Sequence, residues 1–424
     1  MTESVFAVLM CLVLAWAVVS RLLASVNITG AQVFSVAGCL LANPSWGPLS
    51  VDVETESIHV LAELTLALLL FSDAARVDLA ELRKDVWLPA RLLGVGLPLS
   101  LVAGSVLAAW MFDDLTWALA GFVGAALAPT DAALSAQVIN DERIPLRLRR
   151  ALNVESGLND GIATPIVVFT LAVAASQLGT DHGDSAEVRA LLELVVGVCL
   201  GAGLGLVSAG LIRAGARRRW ILAGGRRVAT LATALASFSL AVALDGNGFI
   251  AAFVAGMAFG NRMPADVVER HEVAELPELV GELSAFAVWF LFGAVLVPIA
   301  LDDVSVSVVG YAVLSLTVVR MIPVALCLLG AGLDRPTVGF IGWFGPRGLA
   351  SVVFALLALE ELGESAVVGS AVSVVTATVL LSVVLHGVSA GPLGSRYLRG
   401  RGGRDDPGVV RSRRLGHEHG PGRD

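Results

Sequence analysis

Long apolar stretches recur along the whole 424-residue chain, separated by short polar segments. A run of about 20 apolar residues is long enough to cross a membrane as a helix. Strands of a membrane barrel would instead alternate apolar and polar residues over short segments, and the sequence lacks this pattern. The pattern therefore predicts an all-α, polytopic membrane protein with 13 transmembrane helices. The predicted spans are 4–22, 28–43, 58–75, 87–110, 115–139, 149–176, 188–212, 227–244, 247–260, 279–300, 304–331, 337–360 and 364–392.

The composition agrees with a chain that lies mainly in lipid. Hydrophobic residues make up 56% of it and charged residues 16%, whereas soluble domains are about 25% charged. Its four cysteines lie in apolar segments without close pairing, which predicts neither disulfides nor a metal cluster. We expect no cofactor and no nucleic-acid partner. The first apolar stretch lacks a preceding basic region, so we interpret it as a span and not as a cleaved signal.

Charged residues are sorted between the two sides of the predicted spans. If the N-terminus lies outside, most Lys and Arg fall in cytoplasmic loops and acidic residues fall in the outer loops. Because basic residues favour the cytoplasmic side, this predicts an N-out, C-in protein of the plasma membrane. Residues 393–424 are rich in Arg and Gly and are predicted to be a disordered cytoplasmic tail. Contact between that tail and anionic membrane lipid is the less favoured alternative.

Two of the predicted spans are interrupted. The fifth carries Pro129 followed by Thr130 and Asp131, and the twelfth carries Gly-Pro-Arg-Gly at 345–348. Non-helical backbone survives at membrane depth only where it is buried in protein or lines a water-filled cavity. Interrupted helices at corresponding places in a transporter mark its binding site. We therefore expect the two breaks to form a substrate site, with proline kinks used only for packing as the alternative.

The sixth span holds a polar cluster in an otherwise apolar stretch: Glu155, Ser156, Asn159 and Asp160. At helical spacing these four side chains share one broad face. Each charge at the centre of a membrane helix costs about 2.5–3.5 kcal/mol on insertion scales, so its presence indicates a function. A group of oxygens on one buried helix face suits a small cation or a proton.

Asp160 is the strongest candidate within this cluster. A carboxylate among apolar helices holds a proton more readily than one in water. A cation that replaces the proton needs oxygen ligands, and Ser156, Asp131 and the carbonyls around Thr130 are the candidates. Competition between a proton and a cation for one carboxylate would be an exchange mechanism.

Two arginines within spans complicate this interpretation. Asp160 would be only structural if it were permanently paired with Arg347 or Arg320. We expect instead a structural pair between Glu155 and Arg347, which leaves the other acids available, while Arg320 fits a structural and a functional role equally. Asp73, near the inner end of the third span, either extends the site or is a solvated helix-end charge. The polar residues near span ends that we interpret as structural are His59, Glu63 and His386.

Four motifs resemble those of the NhaP-type sodium/proton antiporters, a branch of the monovalent cation:proton antiporter superfamily. They are found in the order of that family over most of the chain, at 71–73 with 78–83, 128–131, 155–161 and 342–348. The resemblance implies an inverted-repeat fold with crossed, unwound fifth and twelfth helices. It further implies a core bundle, roughly 87–176 and 304–392, which moves against an interface part, roughly 4–75 and 188–300, that forms a homodimer within a transmembrane domain of residues 1–392.

The resemblance also implies roles for individual residues. Asp160 would bind the ion or the proton. The implied further ligands of the sodium ion are Ser156, Asp131 and the Thr130 carbonyl. Asn159 would hold the surroundings of Asp160, and an Asn-Asp pair is typical of electroneutral exchange of one cation for one proton. The other implied roles are a structural ion pair for Glu155 and Arg347 and the acidic position of the third helix for Asp73.

The leading hypothesis is therefore a secondary antiporter, not an enzyme, that exchanges sodium, or else lithium or potassium, for a proton. A carrier of potassium or an organic ion on the same scaffold is the main alternative. An intramembrane aspartyl protease built on Asp131 and Asp160 is remote, because the Gly-x-Gly-Asp context of such proteases is absent. Primary pumping is disfavoured because the sequence has no Gly-x-x-x-x-Gly-Lys phosphate loop.

Overall fold

The structure, a computed structural model, describes residues 3–44, 46–49, 56–77, 86–135, 141–179, 186–263, 274–363 and 365–401. Within these ranges the regular structure is helical and contains no strand. The helices are α1 (Glu3–Ser25), α2 (Gly30–Leu41), α3 (Glu56–Arg76), α4 (Trp87–Met111), α5 (Trp117–Ala126), α6 (Leu146–Leu178), α7 (Ala186–Arg217), α8 (Ala223–Ala243), α9 (Gly248–Arg262), α10 (Glu275–Asp302), α11 (Val306–Cys327), α12 (Arg335–Trp343), α13 (Leu349–Leu362) and α14 (Ala366–Arg401). The motif part at 78–83 lies outside the described residues.

Eight of the described helices are long and apolar enough to cross a membrane, judged by length and composition: α1, α3, α4, α6, α7, α10, α11 and α14. Two shorter apolar helices are α2 and α5. Every predicted span contains at least part of a helix, and the prediction of an all-α, multi-pass protein is confirmed. The number of 13 crossings stays a prediction.

Both predicted helix breaks are present. Helix α5 ends at Ala126 and is followed by non-helical backbone and a short 3₁₀ turn at Ala132–Ser135. In the twelfth span, α12 ends at Trp343 and α13 begins at Leu349, with non-helical backbone between them. The fifth span fails to continue because Pro129 cannot donate a backbone hydrogen bond, and the Gly-Pro-Arg-Gly sequence interrupts the twelfth for the same reason.

The helices pack in two groups that share a boundary. One group contains α4, α5 and α6 together with α11 to α14, and the other contains α1, α2 and α3 with α7 to α10. The contacts between the groups are made by helices α2, α3, α6, α7, α9, α10, α13 and α14. This arrangement is compatible with the predicted core bundle and interface part, whose roles as separate moving units stay a prediction.

Helix α9 lies between α3 and α7 at very short range. Gly256 and Gly260 on α9 face the backbone of Phe71 and Ala75 on α3, where a methyl group would overlap the carbonyl oxygens. Small residues allow helices to approach closely in a membrane, where dispersion contacts replace the hydrophobic effect as the source of association. The glycines therefore allow α3, which carries Asp73, to pack directly against α9.

Three long helices contain a wider, π-helical turn just before a proline. These turns are Leu92–Gly96 in α4, Phe292–Leu296 in α10 and Ser315–Val319 in α11. A proline lacks the donor for the carbonyl one turn earlier, and a local π-helical turn is one way for the helix to adjust. In α11 the turn ends immediately before Arg320, so it sets the direction from which this arginine enters the protein interior.

The C-terminal boundary differs from the prediction. Helix α14 continues to Arg401, so the tail predicted to be disordered from residue 393 is helical over its first part. Tyr397 explains the difference, because its ring stacks on Phe340 with centroids 4.3 Å apart and its hydroxyl lies 3.0 Å from that of Thr337. This packing outweighs the weak helix preference of the glycines nearby. Residues 402–424 lie outside the described part of the chain.

Replacing Gly260 with Ala tests the close packing of α3 and α9. The added methyl would overlap the carbonyl of Ala75, and overpacking of this kind costs about 1–3 kcal/mol. We expect a lower melting temperature of the purified protein in detergent. Gly203→Ala on α7 is the matched control, because no atom lies within 4 Å of the added methyl there. Equal melting temperatures for the two variants would contradict this account.

Candidate functional site

The two helix breaks contact each other directly. The backbone N–H of Asp131 donates to the carbonyl of Pro346 at 2.8 Å. The Arg347 guanidinium donates through Nη1 to the carbonyls of Ala128 at 2.7 Å and Pro129 at 3.0 Å. The carbonyls at the end of α5 have no helical donor, and a buried arginine supplies one. The two breaks therefore meet, and their expected role as a substrate site stays a prediction.

Neighbouring helices complete the hydrogen bonding of the breaks. The N–H of Arg347 donates to Ser382 Oγ on α14 at 2.8 Å, and Ser351 Oγ on α13 donates to the carbonyl of Ala126 at 2.6 Å. Since a polar backbone group left unpaired in an apolar interior costs several kcal/mol, these contacts make the unwound segments stable.

Helix α6 brings three of the predicted site residues together. Ser156 Oγ donates to the carbonyl of Thr130 at 2.7 Å. Asn159 Nδ2 lies 3.1 Å from the same carbonyl and 2.8 Å from Thr130 Oγ1. The polar face of α6 thus fixes the direction of the carbonyl that follows Pro129. The roles of Thr130, Ser156 and Asn159 in ion binding stay a prediction.

Asp160 on α6, Asp131 in the break after α5 and Asp73 on α3 form an acidic group around the breaks. Asp160 lies close enough to both of the others for their charges to repel. All three residues are half-buried, although they lie among buried helices. Asp73 faces α6 beside Gly157, where a methyl group would come within 3.7 Å of the Asp73 Cβ. An accessible site with several negative charges can attract and hold a cation.

Asp131 is also fixed by the backbone of the second break. Its Oδ1 accepts the N–H of Ala133 at 2.8 Å, and its Oδ2 accepts the N–H of Leu349 at 3.3 Å. Leu349 is the first residue of α13, so the carboxylate lies at a helix N-terminus, where negative charge is favoured. A methyl at Gly348 would overlap this carboxylate. The glycine is therefore needed for the approach of Asp131.

The structure corrects the predicted structural ion pair. Glu155 Oε1 pairs with Arg320 Nη1 at 2.7 Å, and Arg347 instead binds the carbonyls at the end of α5. Both partners of the pair are almost fully buried, with 2% of Glu155 and 1% of Arg320 exposed. The reason is that the broken helix leaves carbonyls that Arg347 satisfies, while α11 directs Arg320 to Glu155. Sequence spacing could not distinguish these two arrangements, because both arginines lie in predicted spans.

Sequence reasoning missed the contribution of α14 to the site. Ser382, His386 and Ser389 all contact the end of α12 or the break after it. Their spacing of four and three residues on an apolar helix would have indicated a common polar face. His386 was expected to be structural by its position alone.

Comparison with known proteins places this arrangement in a family. The family model described as "Sodium/hydrogen exchanger, transmembrane" matches residues 7–396. The chain belongs to the sodium/hydrogen exchanger family. The match includes both breaks and all of α6, so the family assignment covers the whole candidate site.

Two relatives illustrate the position of the chain within the sodium/hydrogen exchanger family. It is 30% identical over 361 residues to "Na(+)/H(+) antiporter NhaP" of Pseudomonas aeruginosa, covering 81% of this chain and 82% of the relative. It is 25% identical over 334 residues to "K(+)/H(+) antiporter NhaP2" of Shewanella baltica, covering 76% of this chain and 55% of the relative. The chain thus spans little more than half the length of NhaP2 relatives.

A solved structure supports the fold of this member of the exchanger family. The sodium proton antiporter MjNhaP1 from Methanocaldococcus jannaschii at pH 8 superimposes with a TM-score of 0.72 at 17% identity. The alignment covers 91% of this chain and 100% of that structure. The predicted antiporter fold is confirmed, including its interrupted helices.

Replacing Arg320 with Gln tests the buried ion pair. Removal of one partner leaves the Glu155 charge unpaired in the interior, which costs about 3–5 kcal/mol. We expect R320Q to melt at a clearly lower temperature than the wild type and the double variant E155Q/R320Q to recover part of the loss. Thermal unfolding of the purified proteins in detergent measures this. A double variant less stable than R320Q would contradict the assignment of the pair.

Proposed function

We propose that this protein is a secondary antiporter that exchanges a monovalent cation for a proton across the membrane, with Asp160 binding either ion. The observation that carries the proposal is the position of Asp160. It is a partly exposed carboxylate on α6 beside the contact between two broken helices. Burial favours the protonated form of a carboxyl group, and an entering cation favours the charged form. One carboxylate can therefore serve both ions in turn.

The proposed cation ligands are the oxygens that surround the first break. They are the carboxylates of Asp160 and Asp131, the hydroxyl of Ser156 and the carbonyl of Thr130. Hard oxygen donors of this kind suit an alkali-metal cation. The hydrogen bonds that Ser156 and Asn159 make to Thr130 hold the break beside α6 without adding charge. Because these donors occupy both lone pairs of the Thr130 carbonyl, a cation would displace one of them on binding. Asp73 is proposed as an accessory charge that raises the local concentration of cations.

The exchange requires that the site opens to one side at a time. We propose that the core bundle moves against the interface part, along the boundary where α3 contacts α6 and α13. A move of this kind would take Asp131 and the two breaks together, because their hydrogen bonds lie within the core bundle. Asp160 would move with them, because α6 is bonded to the first break through Ser156. Asp73 would then approach or leave the site, since it lies on α3.

We further propose an N-out, C-in orientation in the plasma membrane and a homodimer. The distribution of basic residues along the loops supports the orientation. The exposed apolar faces of α1 and α7 support a lipid or subunit contact, with Leu14, Val18 and Leu22 on α1 each at least 67% exposed. The dimer would use these faces.

Sodium is the proposed cation, with lithium or potassium as alternatives. The relative named a Na(+)/H(+) antiporter matches over most of both chains, whereas the relatives named K(+)/H(+) antiporters match over a smaller part of their length. Transport of an organic ion on the same fold stays the alternative to transport of an inorganic cation.

Asp160→Asn tests the exchange in inverted vesicles from a host that lacks its own antiporters. A respiration-driven proton gradient is formed, sodium, lithium or potassium is added, and a pH-sensitive dye reports proton movement. We expect a wild-type response to sodium and at least a tenfold smaller response for D160N, because the amide cannot take up a proton and its neutral oxygen holds a cation less strongly than a carboxylate; tenfold corresponds to about 1.4 kcal/mol. Asp113→Asn, at an exposed loop position, is the matched control. No wild-type response to any of the three cations would overturn the proposal.

The same vesicles test the proposed ratio of one cation to one proton. The Asn159 side chain is uncharged, so only Asp160 of this pair changes its charge during exchange. We expect the sodium-dependent response to be unchanged when valinomycin and potassium clamp the membrane potential at different values. A rate that follows the imposed potential would indicate net charge movement and contradict electroneutral exchange.

A further inference from the structure

A strip of polar side chains on α14 holds the unwound part of the twelfth span. Ser382, His386 and Ser389 are spaced by one turn each, and their contacts run from Trp343 to Arg347. Ser382 Oγ accepts the N–H of Arg347 at 2.8 Å, and Ser389 Oγ accepts the Trp343 indole N–H at 3.0 Å. His386 lies between them and is 2% exposed. It is the titratable member of the strip.

The two ring nitrogens of His386 each lie near a carbonyl oxygen. Nε2 is 2.9 Å from the carbonyl of Trp343, and Nδ1 is 2.9 Å from the carbonyl of Ser382 and 3.3 Å from Ser382 Oγ. A neutral imidazole has one N–H, and an imidazolium has two. Neutral His386 can therefore donate to Trp343 and accept the Ser382 hydroxyl proton at Nδ1. Protonated His386 can donate to both carbonyls.

These alternatives give Ser382 two different states. With neutral His386 its hydroxyl hydrogen points to Nδ1. With protonated His386 the hydroxyl must turn away, while its oxygen still faces the N–H of Arg347. The same Arg347 holds the carbonyls of Ala128 and Pro129 at the first break. A proton on His386 thus changes the hydrogen bonding at the end of the contact network that shapes the site.

We propose that His386 is a positioning residue whose protonation tightens the attachment of the unwound twelfth span to α14 and so makes exchange dependent on pH. The second N–H···O bond of the imidazolium, to the Ser382 carbonyl on the same helix, fixes the orientation of the ring. The charge also strengthens the bond from Nε2 to the last carbonyl of α12. The segment 344–348 is bonded to α14 at both ends in either state, and protonation strengthens the bond at its Trp343 end. The consequence for transport rests on the proposed antiport function, whereas protonation of the ring does not.

Burial and two nearby arginines oppose a proton on His386, and its hydrogen bonds favour one. Among the described residues, Arg347 in the break and Arg320 on α11 are the charged groups that face it, and both repel an imidazolium. Arg320 is balanced by Glu155. On the other side, Trp343 is the last residue of α12, and the carbonyl end of a helix favours a cation. The two carbonyl acceptors add charge-assisted hydrogen bonds.

The first test measures the proton on His386 without any transport. The Trp343 ring stacks on His386 with centroids 5.3 Å apart and planes inclined by 29°, and a protonated imidazole quenches indole fluorescence. The emission of the purified protein is titrated over about pH 4–8, which extends below the ordinary range of histidine because burial disfavours the charged ring. We expect an increase with pH in the wild type and in Ser389→Ala, which keeps both rings. The increase should be absent from His386→Gln and from Trp343→Phe.

Subtracting the emission of W343F from that of the wild type gives the signal of Trp343 without the other tryptophans. His386 is present in both proteins. It therefore decides the proposal even if H386Q is not stable. A difference spectrum that does not change over this range would overturn it, and so would an H386Q protein that keeps the full titration.

The second test measures cation-dependent dye responses in vesicles at pH 6 and pH 8. We expect the ratio of the two rates to change by more than about twofold in H386Q, because a titratable group is lost from the contacts that hold the break. Ser389→Ala should alter the rates at both pH values alike, since it removes a contact of the same strip without a titratable group. An unchanged ratio in H386Q, or an equal change in S389A, would show a merely structural role. If no protein exchanges cations at any pH, the proposed function fails, but the fluorescence result for His386 still stands.

Discussion

The constraint on which this structure depends is that every backbone polar group in an apolar interior needs a hydrogen-bond partner. Two helices stop in the middle of the protein, and each leaves carbonyls and N–H groups without helical partners. The breaks satisfy each other through Asp131 and Pro346, and Arg347 satisfies the end of α5. Serines on α6, α13 and α14 supply further partners. The same requirement that stabilises the breaks therefore assembles polar side chains around them.

Two classes of buried charge result, and they differ in their access to solvent. Arg347, Arg320 and Glu155 are at most 2% exposed, and all of them have hydrogen-bonded partners. Asp160, Asp131 and Asp73 keep partial exposure. A charge with a fixed buried partner is available to no other ion, whereas an accessible carboxylate can exchange its partner. All six residues are unusual in an apolar chain, so residue type alone does not separate structural from exchangeable charges. Their burial and their partners in the folded protein do.

Much of this could be predicted from the sequence. Pro129 and the Gly-Pro-Arg-Gly sequence mark the breaks by backbone chemistry alone, and Asp160 is prominent because a carboxylate is costly in an apolar helix. The partner of Glu155 could not be predicted, since the choice between Arg320 and Arg347 depends on which one is needed by the carbonyls of α5. The end of α14 was missed for a similar reason, because the stacking of Tyr397 on Phe340 is a long-range contact. Local pattern thus identifies the unusual groups, and tertiary contacts decide how they pair.

Asn159 links the structure of the break after α5 to the proposed ratio of cations to protons. Its amide is buried and donates to Thr130, so an aspartate in its place could not make these hydrogen bonds unless protonated. An ionised aspartate would also add a negative charge beside Asp160 and face the Thr130 carbonyl oxygen with a second oxygen. The amide removes both problems at once: it fixes the carbonyl proposed to bind the cation, and it leaves one carboxylate of the pair to change its charge. Within the proposed mechanism, the number of charges moved per cycle is therefore set by the same residue that shapes the break.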